Sequence, residues 1–324
     1  MSKEHKNQVD SEAEENKDET TGDLPVIGLG ASAGGLDALK SFFSKVRKDS
    51  GMAYVVLMHL SPDQPSMLPE LLQKSSSIPA AMAEDGGRLV PDRIYVVPPR
   101  KEISIYNNSI QLMENKDSVS SMPIDYFFRT LAADRKSRTA AVILSGTGSD
   151  GSVGLKDIKS NDGLVLAQSV ETAKYDGMPW SAQKTGLVDM VLDPQEMPEK
   201  LERYFDQRVR VEQEDAQKPD NREPLHKIFA MLRVQVGHDF SNYKPKTIQR
   251  RINRRMILNQ IESHEDYLRF LRQDSHEVEA LFRELLIGVT NFFRDPESFE
   301  VLKNEVLPNI MGTLKDDSTF RVWV

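Results

Sequence analysis

The sequence predicts an α/β fold, a doubly wound and mainly parallel sheet, followed by a small all-α domain. Three observations carry this reading. From Leu24 to about Phe205, short apolar runs alternate with amphipathic stretches, the pattern of strands joined by crossover helices. Several of the apolar runs open into glycine-rich turns, where an open parallel sheet places its sites. After Leu225 the strand-like runs stop and one helical periodicity follows another.

The elements follow in order. Leu24 to Leu29 is short, apolar and bounded by breakers, so it reads as a buried strand. Leu36, Leu39, Phe42, Phe43 and Val46 recur at helical spacing behind it. Ala53 to Met58 is a second buried strand, and Arg93 to Val97, Thr139 to Leu144 and Leu164 to Ala167 read the same way. Ile103 to Tyr106 and Ile110 to Met113 flank Asn107-Asn108-Ser109, which predicts a β-hairpin. Helices are expected at Ser66 to Lys74, Ile124 to Ala133, Val153 to Ser160 and Met197 to Tyr204. Residues 207–223 are charged and poor in apolar side chains, with Pro219 inside and Pro224 just after, and read as a linker, in part helical. Beyond it, helices are expected around Leu225 to Leu232, Thr247 to Ile261, Tyr267 to Leu271, Val278 to Ile287 and Ser298 to Leu307.

Composition narrows the class. A chain of 324 residues has room for two cores. It holds no cysteine, which removes disulfide scaffolds, thiolate nucleophiles and cysteine zinc sites, and fits a reducing cytoplasm. No apolar run approaches the roughly 20 residues of a membrane span, and the first residues lack a secretory signal. The expected location is therefore cytoplasmic. Net charge is −8, with eight acids against three lysines in residues 1–23, a stretch expected to be a disordered acidic tail.

Gly30-Ala31-Ser32-Ala33-Gly34 sits between the first strand and the first helix. A serine on such a turn presents its hydroxyl to a substrate, with helix N-terminal N–H groups beside it to hold an oxyanion. Gly28-Leu29-Gly30-Ala31-Ser32-Ala33 also fits a dinucleotide fingerprint, which keeps a dinucleotide-dependent oxidoreductase as an alternative. That fold wants an acid after the second strand, whereas this chain has His59, an imidazole able to deprotonate a serine. The strand from Thr139 to Leu144 runs into Ser145-Gly146-Thr147-Gly148-Ser149-Asp150-Gly151, whose one acid can orient a histidine or merely cap the helix near Ser152. The order Ser, His, Asp disfavours the α/β-hydrolase fold, which runs Ser, acid, His.

Gly28 to Gly35, Val56 to His59 and Leu144 to Gly151 resemble the three motifs of the chemotaxis receptor methylesterases, the CheB catalytic domain, and Gly177-Met178-Pro179 with Ala182 resembles a fourth. The resemblance spans roughly residues 24–205. It implies hydrolysis of glutamate γ-methyl esters, and deamidation of glutamines, on the helical signalling domain of a methyl-accepting receptor. It assigns Ser32 as nucleophile, His59 as general base and Asp150 as orienting acid, with the backbone N–H groups of Ala33 and Thr147 as the oxyanion hole. No cofactor and no metal are expected for the esterase. Ala33 stands where the family often has threonine. Members usually carry a receiver domain ahead of the esterase, so phosphorylation in cis is not expected here.

Tyr243 to Ile252 and Leu285 to Asp295 are similar to the N-terminal helical domain of the opposing receptor methyltransferases, the CheR family. Lys244, Lys246, Arg250, Arg251, Arg254 and Arg255 crowd onto one helix, and the resemblance casts Lys246, Arg250, Arg251 and Arg254 as contacts to the receptor's acidic methylation region. The bland alternative is a solvated face. Nucleic acid is not an expected partner, because no stacking aromatics interleave the charges. Thr290 and Arg294 match positions that touch S-adenosylmethionine, although Gly288 stands where the family often has asparagine. A methyl-transfer domain would begin near Phe320 to Trp323. The chain ends before its glycine-rich loop, so methyl transfer by this chain alone is not expected. The expected organisation is an acidic tail (1–23), a methylesterase domain (24–206), a linker (207–223), a helical domain (224–312) and the start of a truncated methyltransferase domain (313–324). Remaining alternatives are a piece of a bifunctional enzyme and a non-catalytic receptor-binding module.

Overall fold

The computed structural model describes residues 24–58, 67–114, 122–217, 223–238, 240, 243–286 and 302–308. The acidic tail, Thr290, Arg294 and the last residues lie outside the described residues.

Among the described residues the first domain holds a seven-stranded parallel sheet. Its strands are β1 (Val26–Ala31), β2 (Ala53–Met58), β3 (Ala80–Met82), β4 (Arg93–Val96), β7 (Thr139–Ile143), β8 (Leu164–Gln168) and β9 (Met190–Leu192), in the order β3-β4-β2-β1-β7-β8-β9. β5 (Lys101–Tyr106) and β6 (Ser109–Glu114) form the separate hairpin. Its two-residue turn puts Asn107 and Asn108 at φ 48° and 63°, the left-handed pair that a type I′ turn needs and asparagine tolerates. The chain winds outward from β1 through β2 and β4, then returns to the other side of β1 as β7. The winding direction therefore reverses at the β1–β7 junction, where open sheets form their crevice.

Alternate side chains fill opposite faces. Ile27, Leu29, Tyr54, Val56, Val142 and Leu166 pack with α1 (Gly35–Phe43), α2 (Leu68–Gln73) and α6 (Met197–Gln217). Val26, Val55, Ala141, Ile143 and Val165 meet α3 (Pro123–Arg135), α4 (Leu155–Ser160) and α5 (Gly177–Lys184) on the other. The glycines of the dinucleotide-like fingerprint belong to this second face. A Cβ on Gly28 would lie 2.8 Å from Phe127, and one on Gly30 would lie 2.8 Å from Ile124. Close seating of α3 on β1 accounts for both glycines without a pyrophosphate.

Two expectations change. β3 and β9, three residues each, escaped the sequence reading because such short strands show no periodicity. The expected linker is helical as far as Gln217, since α6 runs unbroken from Met197. Arg208 and Glu212 pair one turn apart, Glu212 also takes Arg138, and Val211 packs on the core.

The second domain has its own core, with Ile228, Leu232, Phe240, Ile252, Tyr267, Leu271 and Leu281 at its centre. It is built from α7 (Glu223–Val236), α8 (Pro245–Leu258), α9 (His264–Gln273) and α10 (Ser275–Leu286). Ser263 caps α9 by accepting the Asp266 N–H at 3.0 Å. The two domains are in contact: Ile257, near the end of α8, is buried in the core of the first domain. No helix among the described residues is long and apolar enough to cross a membrane.

Candidate active site at the switch point

Ser32 follows β1, and Asp150 lies in the loop after β7, the neighbouring strand. β2, the other neighbour of β1, ends at Met58. His59 is the next residue in sequence and lies outside the described residues. The carboxyl ends of three adjacent strands thus lead to the three expected catalytic positions.

Ser32 is half-buried on a turn locked at both ends. Its N–H donates to the Ser145 carbonyl at 3.0 Å, and its own carbonyl accepts the Gly35 N–H at 2.9 Å. Gly34 takes φ 71°, a left-handed conformation that swings the chain from strand into α1. Gly146 has no Cβ for a different reason: one placed there would sit 2.9 Å from the Ser32 Cβ and 2.1 Å from the Met178 sulfur. The loop after β7 can approach Ser32 this closely only as glycine.

Ser145, quoted within a motif but given no role by the sequence, ties three segments together. Its hydroxyl donates to the Ala33 carbonyl at 3.0 Å and accepts the Tyr175 N–H at 3.0 Å, while its own N–H donates to Gln168 Oε1 at 2.8 Å. The Gly146 N–H then donates to the Tyr175 carbonyl at 3.0 Å, and the Met178 N–H to the Gly146 carbonyl at 2.9 Å. The fourth motif is therefore hydrogen-bonded to the loop that faces Ser32, and exposed Tyr175 and Trp180 stand on it at the rim. Among the described residues, neither the Ala33 nor the Thr147 N–H is engaged by another protein group, which leaves both available to a substrate oxygen.

Asp150 is buried and accepts the N–H groups of Ile124 and Asp125, each at 3.1 Å. It caps α3, a helix 25 residues upstream, rather than the helix near Ser152 that the sequence offered as its structural role. Asp125 returns the contact by accepting the Gly154 N–H at 2.7 Å, so α3 and the loop after β7 hold each other in a reciprocal clamp. Burial pushes the Asp125 carboxyl up, and the neighbouring Asp150 charge adds to this against the lowering effect of the Gly154 N–H. An acid in the first turn after Pro123 was the available signal for Asp125; its distant target was not.

The comparisons bear directly on this geometry. The family model for CheB methylesterase matches residues 27–201, over half of the chain and all the strands just described. The chain belongs to the CheB methylesterase family. The CheR methyltransferase all-alpha domain matches residues 223–286, which covers α7 to α10. The catalytic domain of the CheB methylesterase from Thermotoga maritima superposes with a TM-score of 0.52 at 30% identity, covering 55% of this chain and 97% of that one.

Among curated relatives, the protein-glutamate methylesterase/protein-glutamine glutaminase of Bacillus subtilis is 33% identical over 169 residues, 50% of this chain and 47% of its own length. An uncharacterized 104.1 kDa protein in the hypE 3′ region of Rhodobacter capsulatus is 35% identical over 275 residues, 78% of this chain and 29% of its own length. That alignment is longer than either domain, so the relative carries parts of both. The CheB-family chain thus spans less than half the length of these relatives.

The four expected receptor contacts divide. Lys246 and Arg250 lie on the exposed side of α8. Arg251 and Arg254 are buried against the first domain, which corrects the picture of one open basic stripe. Carboxylates scattered through the sequence, Asp162, Asp189 and Glu284, draw these two side chains inward. Thr290 and Arg294, the positions matched to S-adenosylmethionine contacts, lie outside the described residues.

Proposed function

We propose that this chain is a serine-type protein-glutamate methylesterase, with protein-glutamine deamidation at the same site, acting on the acidic helical signalling domain of a chemotaxis receptor in the cytoplasm. The observation that supports the reading is that three adjacent strands, β2, β1 and β7, are followed in sequence by His59, Ser32 and the loop that carries Asp150, in a chain of the CheB family.

In this mechanism the Ser32 hydroxyl attacks the γ-carbonyl of a methylated glutamate while His59 accepts its proton. The N–H groups of Ala33 and Thr147 receive the oxyanion. Collapse of the tetrahedral species breaks the ester C–O bond, and methanol leaves with the proton held by His59. Water, deprotonated by His59, then hydrolyses the glutamyl-serine ester and regenerates the hydroxyl. Asp150, fixed by the Ile124 and Asp125 N–H groups, orients the imidazole and stabilises imidazolium. A glutamine side chain follows the same steps with ammonia as leaving group. The helical domain contributes receptor affinity through its exposed basic residues.

The test is methanol release from methylated receptor by the whole chain and by Ser32→Ala. Loss of about four orders of magnitude in kcat is expected, as for triads that act as a unit. An unchanged rate would remove Ser32 from the mechanism. Failure of an activated phosphonate to label Ser32 would favour the non-catalytic alternative.

A further inference from the structure

At the amino-terminal ends of β8 and β9, six charged side chains from both domains meet. Lys159 donates to Asp189 at 2.7 Å and to Glu284 at 3.0 Å. Arg254 donates to Asp189 at 2.6 Å, to Glu284 at 2.9 Å and to the Gly163 carbonyl at 2.7 Å. Arg251 pairs with Asp162 at 3.0 Å and donates to the Lys159 and Ser160 carbonyls at 3.1 and 3.3 Å, at the end of α4. Three cations meet three carboxylates, and none of the six side chains is more than 5% exposed.

Burial alone would raise the Asp189 and Glu284 carboxyls, but Arg254 and Lys159 outweigh it and hold both low. Arg250, about half exposed, pairs with Asp162 as well, so the cluster joins a fourth cation to the same three carboxylates. Two of its buried cations belong to the helix whose charges, by their number and crowding, fit an acidic partner. One guanidinium fork cannot serve both. Arg254 is engaged by Asp189 and the Gly163 carbonyl of the first domain and by Glu284 of its own, and its side chain is fully buried, with no surface left for a second carboxylate.

We propose that this buried cluster is a latch that docks the helical domain on the amino-terminal edge of the sheet, and that an acidic helical partner reaches Arg251 and Arg254 only by opening it. The inference deepens the receptor reading above, because it makes receptor binding compete with domain docking. The catalytic loops lie at the other end of the strands, roughly 16 Å away for a five-residue strand at about 3.3 Å per residue. Opening the latch therefore leaves Ser32 accessible throughout.

The test uses the full chain, whose lack of cysteine makes labelling clean. Nitroxides at Lys156→Cys and Arg272→Cys, exposed positions in the two domains, report the interdomain distance by pulsed dipolar spectroscopy. The parent should give one narrow distribution, and Glu284→Gln a broad one. A synthetic glutamate-rich helical peptide should bind Glu284→Gln at least tenfold more tightly than the parent, since opening is already accomplished. Should Glu284→Gln lose helical circular dichroism, Lys159→Met, in the other domain, repeats the experiment. Equal peptide affinity in parent and variant, or a parent distribution already broad, overturns the latch. Hydrolysis of a small methyl ester measured in the same samples separates the two readings: loss of the latch with hydrolysis intact leaves the esterase standing.

Discussion

The two ends of the sheet solve one problem, satisfying a buried acidic side chain, by opposite means. At the carboxyl ends, Asp150 is met by backbone N–H groups at the start of a helix. Those partners are fixed by the fold and carry no formal charge. At the amino-terminal ends, Asp189 is met by two full cations, one of them from the other domain. Such partners satisfy a carboxylate completely and leave it nothing to do but hold. The two acids differ in what meets them: backbone dipoles at one end, side-chain cations at the other.

Substitutions sharpen the contrast, beginning with the largest effect. Ser32→Ala should lower kcat for methanol release by about 10⁴ and leave stability alone. Arg254→Ala should do the reverse. It strands Asp189 and Glu284 in a buried setting, a loss of about 3–5 kcal/mol read by urea unfolding, with small-ester hydrolysis retained in the folded fraction. Gly146→Ala should cost activity by roughly 10², because the new methyl must displace Met178 or Ser32, and misplacement of about 1 Å carries that penalty.

Acid should separate the ends as well. The Asp125 carboxyl is raised, so the folded chain binds a proton before the unfolded one does. Its contribution to stability therefore grows as pH falls from neutrality into the ordinary carboxylate range. Asp189 and Glu284 are lowered, so their contribution is full above the ordinary carboxylate range and is lost only as pH falls through their depressed values. Urea midpoints measured against pH should show the first slope vanish in Asp125→Asn while the second persists. The smallest effect belongs to Lys246→Ala: its side chain is exposed, and stability should move by less than about 0.5 kcal/mol, with receptor affinity as the sensitive readout.

Much of the catalytic end was legible because its signals are local. An apolar run followed by glycines marks a strand end without help from the rest of the chain, and this located Ser32 and Asp150. The order β2-β1-β7 was not legible, since side-by-side packing of strands far apart in sequence leaves no local trace. The same limit hid the target of Asp150, whose donors precede it by 25 and 26 residues. The basic helix was legible as charge and misleading as surface. Composition counts Arg254 among the cations of α8, but only the fold shows that the matching carboxylates come from β9's leading edge and from α10.

The long helix α6 has a consequence for dividing the molecule. It begins in the methylesterase match, continues past residue 201 and packs Val211 under the sheet, while α8 lends Ile257 to the same apolar layer. A cut at the edge of the family match would leave greasy surface uncovered on both halves. Anyone wishing to express the esterase by itself does better to keep the strut whole and to replace Ile257's cover with a designed polar exterior than to trust the border drawn by homology.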